Sequence, residues 1–293
     1  MTSSFFGTLR ILFSDAEVVH YHAEGPSAWL WILKFFSKKK IVVTIHGLNW
    51  QSPKWKGFAS KYIKFGEKVA VKYADEIIVL NNETKDYFKK VYNRDTVFIP
   101  NGINKPIIEK ANIIKEKYGL DKDGYILFLG RIEPVKGIHF LIEAYKRLKT
   151  DKKLVIAGAS SEVNDYFDEL QALSNNDIIF TGYVCGKLLD ELYSNAYLYV
   201  LPSVSEGMPL SLLEAMSYGN CCITSDIKSC TEVLGDKGVY FANQNKSDLY
   251  IKLKKLLSDD LTVEKYKKQS QNYILSRYNW DDTVQKTLEL YRK

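Results

Sequence analysis

Two clusters of residues have the types and spacing to do chemistry. The first is Ser205-Glu206-Gly207-Met208-Pro209-Leu210-Ser211-Leu212-Leu213-Glu214-Ala215-Met216. An apolar strand pattern ends near Leu201, a loop carries Glu206 and Gly207, and a helix is expected from about Pro209, whose fixed φ and missing N–H suit a first turn. Gly207 allows a ligand close to the main chain, and the N–H groups of Met208, Pro209's neighbour Leu210 and Ser211, with the helix dipole, make an anion site suited to phosphate. Glu214, about one turn inside, is uncomfortable beside that anion unless it faces a neutral hydroxyl such as a ribose. The plain alternative is a capped helix with two surface glutamates.

The second cluster is Gly130-Arg131-Ile132-Glu133-Pro134-Val135-Lys136-Gly137, directly after an apolar strand pattern. Two cations at a strand's carboxyl end would converge on a diphosphate, Arg as a fork and Lys as a point charge; a solvated basic turn is the alternative. The sequence contains neither G-x-G-x-x-G nor G-x-x-x-x-G-K-[ST], which counts against a nicotinamide enzyme and a P-loop NTPase.

Elements must hold these loops in place. From residue 125 onward, short β-rich runs alternate with amphipathic stretches, the pattern of a parallel sheet covered by helices. Strands are expected at Tyr125–Leu129, Leu154–Ala157, Ile178–Thr181, Leu198–Leu201, Cys221–Thr224 and Val239–Phe241, with helices near 138–149, 162–174, 186–195, 210–218 and 247–258. Continuous apolar runs such as Ile126-Leu127-Phe128-Leu129 imply burial on both faces, hence a doubly wound layer. The first third repeats the theme: strands at Val18–His22, Ile41–Ile45, Ile77–Leu80 and Val97–Ile99, helices near 27–36, 57–73 and 83–91. Two such α/β sheets in tandem predict loops at 46–50, 130–137, 158–161, 182–185 and 203–210 facing one another across a cleft. A Pro100-Asn101-Gly102 turn and a polar, Lys-rich stretch over 104–123 join the halves.

The two loops together resemble one family, the glycosyltransferases of family 4, or group 1, with the GT-B fold of two facing Rossmann-like domains. The resemblance runs from about residue 15 and rests on several motifs. These are the E-x7-E pair Glu206 and Glu214, the G-R-x4-K-G loop, Phe180-Thr181-Gly182-Tyr183-Val184, Ile99-Pro100-Asn101-Gly102 and Tyr278-Asn279-Trp280. It implies that Arg131 and Lys136 bind the donor diphosphate from Gly130 onward and Glu214 the ribose. It gives Glu206 and the N–H groups after it the donor sugar, and places Val184 near the base. It also implies an acceptor-side domain over 1–104, a nucleotide-sugar domain over 105–278 and a last helix, 279–293, crossing back to the first. Thr44-Ile45-His46-Gly47-Leu48-Asn49-Trp50-Gln51 with Lys54-Trp55 is similar to a subgroup that builds bacterial surface polysaccharides, where H-G-L-D-W-Q is usual. There His46 is expected to touch the donor sugar, and Asn49 stands where the subgroup has Asp.

The implied reaction is metal-independent, retaining transfer of a hexosyl or deoxyhexosyl group from a nucleoside-diphosphate sugar to a growing polysaccharide or lipid-linked glycan. The donor is a substrate, and no cofactor or metal is expected. Family members begin with a strand and a Gly-rich loop that this sequence lacks at its start, so the alternative expectation is a truncated, non-catalytic nucleotide-sugar-binding chain, or one subunit whose missing part comes from a separate chain.

Composition narrows the remaining classes. At 293 residues with 46% apolar and 26% charged, the chain is expected to build two ordinary domains. No apolar run approaches the roughly 18 to 20 residues of a spanning helix, and no signal peptide pattern opens the sequence, so a cytoplasmic protein is expected. Cys185, Cys221, Cys222 and Cys230 show no C-x-x-C and read as reduced packing thiols. Residues 1–104 hold 15 Lys+Arg against 9 Asp+Glu, and the remainder is balanced. That basic third, with Trp29, Trp31, Phe35, Phe36 and Lys38-Lys39-Lys40, suits peripheral contact with an anionic membrane. Nucleic acid is disfavoured because no recognition motif accompanies the charge. His20 and His22 share a strand face without a third zinc ligand, and Asp121-Lys122-Asp123 imitates a D-x-D far in sequence from the phosphate loops.

Overall fold

The computed structural model describes residues 2–51, 55–160 and 165–292; Lys54 and the end of the 158–161 loop lie outside them. The chain forms two compact units, one of residues up to Gly102 together with those from Trp280, the other Ile103–Asn279.

The first unit holds β1 (Val18–His22), β2 (Lys40–Ile45), β3 (Glu76–Val79) and β4 (Val97–Phe98), all parallel, in the order β1-β2-β3-β4. The strand order never reverses, so this layer is wound in one direction. Side chains alternate across it. Ile41, Val43, Ile45, Ile77 and Val79 bury against one group of apolar residues, whereas Val42 and Ile78 point the other way, onto Ile99 and Leu290. Leu290 belongs to the last helix, Trp280–Arg292, which is tied to this unit by Thr283 Oγ1 donating to Pro100 O (2.9 Å) and by Lys40 Nζ donating to Leu290 O.

The second unit holds β5 (Tyr125–Leu129), β6 (Lys153–Ala157), β7 (Ile178–Gly182), β8 (Leu198–Leu201), β9 (Cys221–Ser225) and β10 (Val239–Phe241). Every pairing is parallel and the order is β10-β9-β8-β5-β6-β7. This is the doubly wound arrangement, and the order reverses between β5 and β8, where ligands of such sheets bind beyond the strands' carboxyl ends. Ile126, Leu127 and Phe128 are fully buried, as the unbroken apolar run predicts.

The helical pattern near 27–36 is two pieces, Glu24–Ser27 and Leu30–Phe36. The polar stretch over 104–123 contains a further helix, Ile113–Tyr118, whose start is fixed by Glu191 Oε2 accepting from the amides of Asn112 and Ile114 (both 3.0 Å). Helices at Thr2–Leu12, Lys228–Leu234 and Asp260–Leu275 were not among the expected ones. All four cysteines are free thiols, and no helix of the described residues is long and apolar enough to cross a membrane.

Candidate active site

In the second unit, the two motif loops are stitched together where the strand order reverses. After β5 the chain continues to pair, with Gly130 N–H donating to Ala157 O and Ile132 N–H to Ala159 O, both at 3.0 Å. This close approach requires glycine at 158: its φ is +139°, and a Cβ there would stand 1.9 Å from Gly130 O. A single tight turn, Pro134–Lys136, follows, closed by Gly137 at φ 65°. A Cβ on Gly137 would fall 2.2 Å from Pro202 O, so the Lys136 turn lies against the chain leaving β8. Val204 N–H donates to Val135 O at 2.8 Å and completes the seam.

That seam brings Lys136 to Glu206. Their Nζ–Oε1 distance is 2.6 Å, and the side chains are only 14% and 10% exposed. Ser203, fully buried, donates its hydroxyl to the same oxygen at 2.6 Å, and its own carbonyl accepts from Ser225 Oγ at 2.5 Å. Arg131 is largely exposed and pairs with Glu133 at 3.0 Å. Both expected diphosphate cations therefore carry a carboxylate partner here. Glu133 lies within the same motif as the two cations, and the only signal of Ser203 in the sequence is a polar residue at the end of an apolar strand.

The helix after the second loop runs Leu210–Ser217, with Pro209 as its N-cap and not its first helical residue. Pro209 O accepts from the amides of Leu212 and Leu213 at 3.0 and 3.2 Å. Leu210 and Ser211 are the helix's first two residues, and first-turn amides have no acceptor within their own helix, which leaves the positive end of the dipole at the helix entrance. Tyr199, buried on β8, donates to Ser211 Oγ at 2.9 Å, and Tyr193 donates to Glu214 Oε2 at 3.0 Å. Burial pushes the Glu214 carboxyl above its usual range, with the Tyr193 hydroxyl acting against that shift. Gly207 and Met208 lie in the loop between Glu206 and the helix; Met208 packs on the core's edge and Leu210 is exposed. Val184, expected near the base, is buried, and its neighbour Tyr183 is the exposed side chain.

In the first unit, His46 follows β2 and its Nε2 lies 3.0 Å from His22 Nδ1 at the end of β1. His20 stacks on His22 with ring centres 4.4 Å apart, and bonds Tyr291 OH through Nδ1 (2.6 Å) and Thr44 Oγ1 through Nε2 (2.7 Å). Burial first, and then the positive charges of His22 and His46, hold His20 down to about 4; burial and His22 lower His46. Asn49 donates its backbone and side-chain amides to buried Glu24 at 3.0 and 2.8 Å, so the amide at this position serves a carboxylate acceptor. Burial raises the Glu24 carboxyl, and those donated bonds offset part of the shift. Asp121 and Asp123 pair with Lys115 and Lys267 in the turn before β5. Among the described residues, no group of three or more His, Cys, Asp or Glu is placed to hold a metal ion.

Two parallel-sheet α/β units, the second a Rossmann-type sheet with Lys136, Glu206 and the start of the Leu210 helix at its reversal point, define an α/β protein of the GT-B class. The chain belongs to the group 1 glycosyl transferases: that family's model matches residues 110–273, and the model of glycosyltransferase family 4 matches residues 2–105. It is 29% identical over 268 residues to an Escherichia coli UDP-Gal:alpha-D-GlcNAc-diphosphoundecaprenol alpha-1,3-galactosyltransferase, covering 86% of this chain and 68% of that protein. It is 27% identical over 252 residues to the N,N'-diacetylbacillosaminyl-diphospho-undecaprenol alpha-1,3-N-acetylgalactosaminyltransferase of Campylobacter jejuni, covering 80% and 66%. An uncharacterized glycosyltransferase of Methanocaldococcus jannaschii shares 29% over 224 residues, 74% of this chain but 57% of that protein. The chain thus spans between about half and two thirds of these relatives' lengths. Its fold is shared with Anabaena HepE in complex with UDP and glucose (TM-score 0.85, 17% identity, 98% of this chain and 80% of that one). It is shared too with the sucrose-phosphate synthase of Thermosynechococcus elongatus (TM-score 0.82, 22% identity, 94% and 73%).

Proposed function

We propose that this chain transfers a sugar from a nucleoside-diphosphate sugar to a hydroxyl of a lipid-linked or polysaccharide glycan, with retention of anomeric configuration and without a metal ion. The observation that carries this reading is the Lys136–Glu206 pair beside the open start of the Leu210 helix, at the point where the strand order reverses. As the glycosidic bond breaks, negative charge grows on the departing diphosphate. Arg131, Lys136 and the first-turn amides are preorganised donors for it, and they supply the compensation a metal would otherwise bring. Glu206 Oε1 is held by Lys136 and Ser203, and its second oxygen is left to accept from sugar hydroxyls. Glu214, whose carboxyl burial pushes above its usual range, suits a ribose hydroxyl. His22 and His46 offer a second set of ring nitrogens for hydroxyls, while His20, with both ring nitrogens engaged by Tyr291 and Thr44, holds His22 in its stack. The acceptor class follows the printed activities of the Escherichia coli and Campylobacter relatives.

The test is incubation of the protein with a panel of nucleotide sugars and an undecaprenyl-diphosphate-linked sugar. Mass spectrometry is expected to find one added sugar, and NMR an anomeric configuration matching the donor's. Donor hydrolysis without an extended glycan, or an inverted product, contradicts the reading.

A further inference from the structure

The helix Phe58–Tyr73 carries four lysines and one acid, and it sorts them by face. The acid, Glu67, is fully buried and saturated: it accepts from Trp50 Nε1 (2.8 Å), Lys64 Nζ (2.7 Å), Tyr87 OH (2.8 Å) and Tyr92 OH (2.5 Å). Lys64 also lies 3.9 Å over the Trp50 ring, so this cation is turned inward. What remains outside is Phe58, Lys61, Phe65, Lys68 and Lys72, all exposed. Their spacing of three and four residues places them on one stripe of the helix.

That stripe mixes large apolar rings with unopposed positive charge. Phe58 is 72% exposed and Phe65 51%. Among the described residues, neither Lys61 nor Lys68 has an acidic partner, and Lys72 lies 5.0 Å from the Tyr73 ring. At the helix end, Tyr73 meets Phe35 edge-on at 5.5 Å, and Phe35 and Phe36 are 64% and 68% exposed. The nearby acid Asp75 is taken up by Lys34. By contrast, Trp29 packs on Phe5, Trp31 packs on the core, and the ammonium of Lys39 is tied to Ser14 O and Ala16 O; of the sequence expectation, the two tryptophans belong to the packing of the fold and Lys39 to a backbone tie.

We infer that this stripe, with Phe35 and Phe36, is a docking face for an anionic lipid bilayer. An exposed helix face with aromatic rings, several lysines and no acid matches an interface where rings enter the headgroup layer and ammonium groups meet lipid phosphates. The excess positive charge of the whole chain lies in this first third, which fits the same partner. The inference deepens the reading of a transferase with a lipid-linked acceptor, and rests on it for the use of docking but not for the docking itself.

The experiment is cosedimentation of the full chain with vesicles of phosphatidylglycerol and phosphatidylcholine against phosphatidylcholine alone. Binding is expected to the anionic vesicles only. Lys61→Glu/Lys68→Glu/Lys72→Glu is expected to weaken it on the order of a hundredfold, at about 1 kcal/mol per lysine, and Phe58→Ser/Phe65→Ser on the order of tenfold. Lys254→Glu/Lys255→Glu/Lys268→Glu, with the same change of net charge in the other unit, is expected to leave it intact. A Phe65→Trp variant gives a second reading in an otherwise unaltered chain, its fluorescence quenched by brominated lipid in anionic vesicles. Equal loss from both lysine triples, no dependence on phosphatidylglycerol, an unquenched tryptophan, or self-association abolished by Phe58→Ser/Phe65→Ser in place of vesicle binding would each overturn the inference. Vesicle binding by a chain that transfers no sugar keeps this face and removes the transferase reading; transfer without vesicle binding does the reverse.

Discussion

Lys136 and Glu206 stand seventy positions apart in sequence and 2.6 Å apart in space, each almost enclosed. The pair fastens the turn after β5 to the loop after β8 at the reversal of strand order, so the residue proposed to meet the diphosphate also holds the site's shape. Removing one partner leaves the other charge buried. Lys136→Ala or Glu206→Ala is therefore expected to lower stability by about 3 to 5 kcal/mol. Lys136→Met with Glu206→Gln is expected to recover most of that loss in denaturant unfolding while transfer stays about a hundredfold or more down. Recovery of both stability and transfer would make the pair purely structural.

Arg131 is different because it is exposed and its partner, Glu133, is a near neighbour. Arg131→Ala is expected to change unfolding free energy by less than about 0.5 kcal/mol. Its KM for donor is expected to rise and to lose part of its salt dependence. The check is donor kinetics at two ionic strengths.

The backbone seam between the loops after β5 and β6 has no room for a side chain at 158. Gly158→Ala drives a methyl group against Gly130 O in a conformation that L residues rarely adopt. A loss of about 1 to 3 kcal/mol is expected, together with reduced donor binding. Ordinary stability in thermal unfolding, with unchanged donor binding, would count against this account of the loop.

His20 is held to about 4 against an ordinary value of 6.5, chiefly by burial. The unfolded chain binds more protons at this residue between those two values, so its contribution to stability is complete above pH 6.5 and is lost as the pH falls toward 4. Denaturant unfolding across that range is expected to show a shallower acid slope in His20→Gln than in the unchanged chain. An identical slope would remove His20 from the explanation.

Much of this architecture was legible in the sequence because parallel strands buried on both faces cannot hide. Ile126-Leu127-Phe128-Leu129 marks β5 unambiguously, and the six strands of the second unit fall within a residue of their expected ends. Helices defined by partners elsewhere were not legible: Ile113–Tyr118 is short, and its start is satisfied by Glu191, whose position no local pattern reveals. The candidate site divided in the same way. The cations and carboxylates stand out by motif, but their pairing does not, since Lys136 finds Glu206 through a sheet crossover and Ser203 joins them by burial. Glu133 pairs with Arg131, so the geometry of Gly130–Gly137 is less basic than its two cations alone suggest.

The claim beneath all of this is that the Lys136 turn and the Leu210 helix start receive a diphosphate. Calorimetric titration with uridine and guanosine diphosphate tests it most directly. At least one is predicted to bind, and Lys136→Met/Glu206→Gln and Arg131→Ala each to weaken that binding on the order of tenfold, the scale of a charge-assisted hydrogen bond. Binding of neither nucleotide by the folded chain, or binding by both variants as tight as by the unchanged chain, would contradict it.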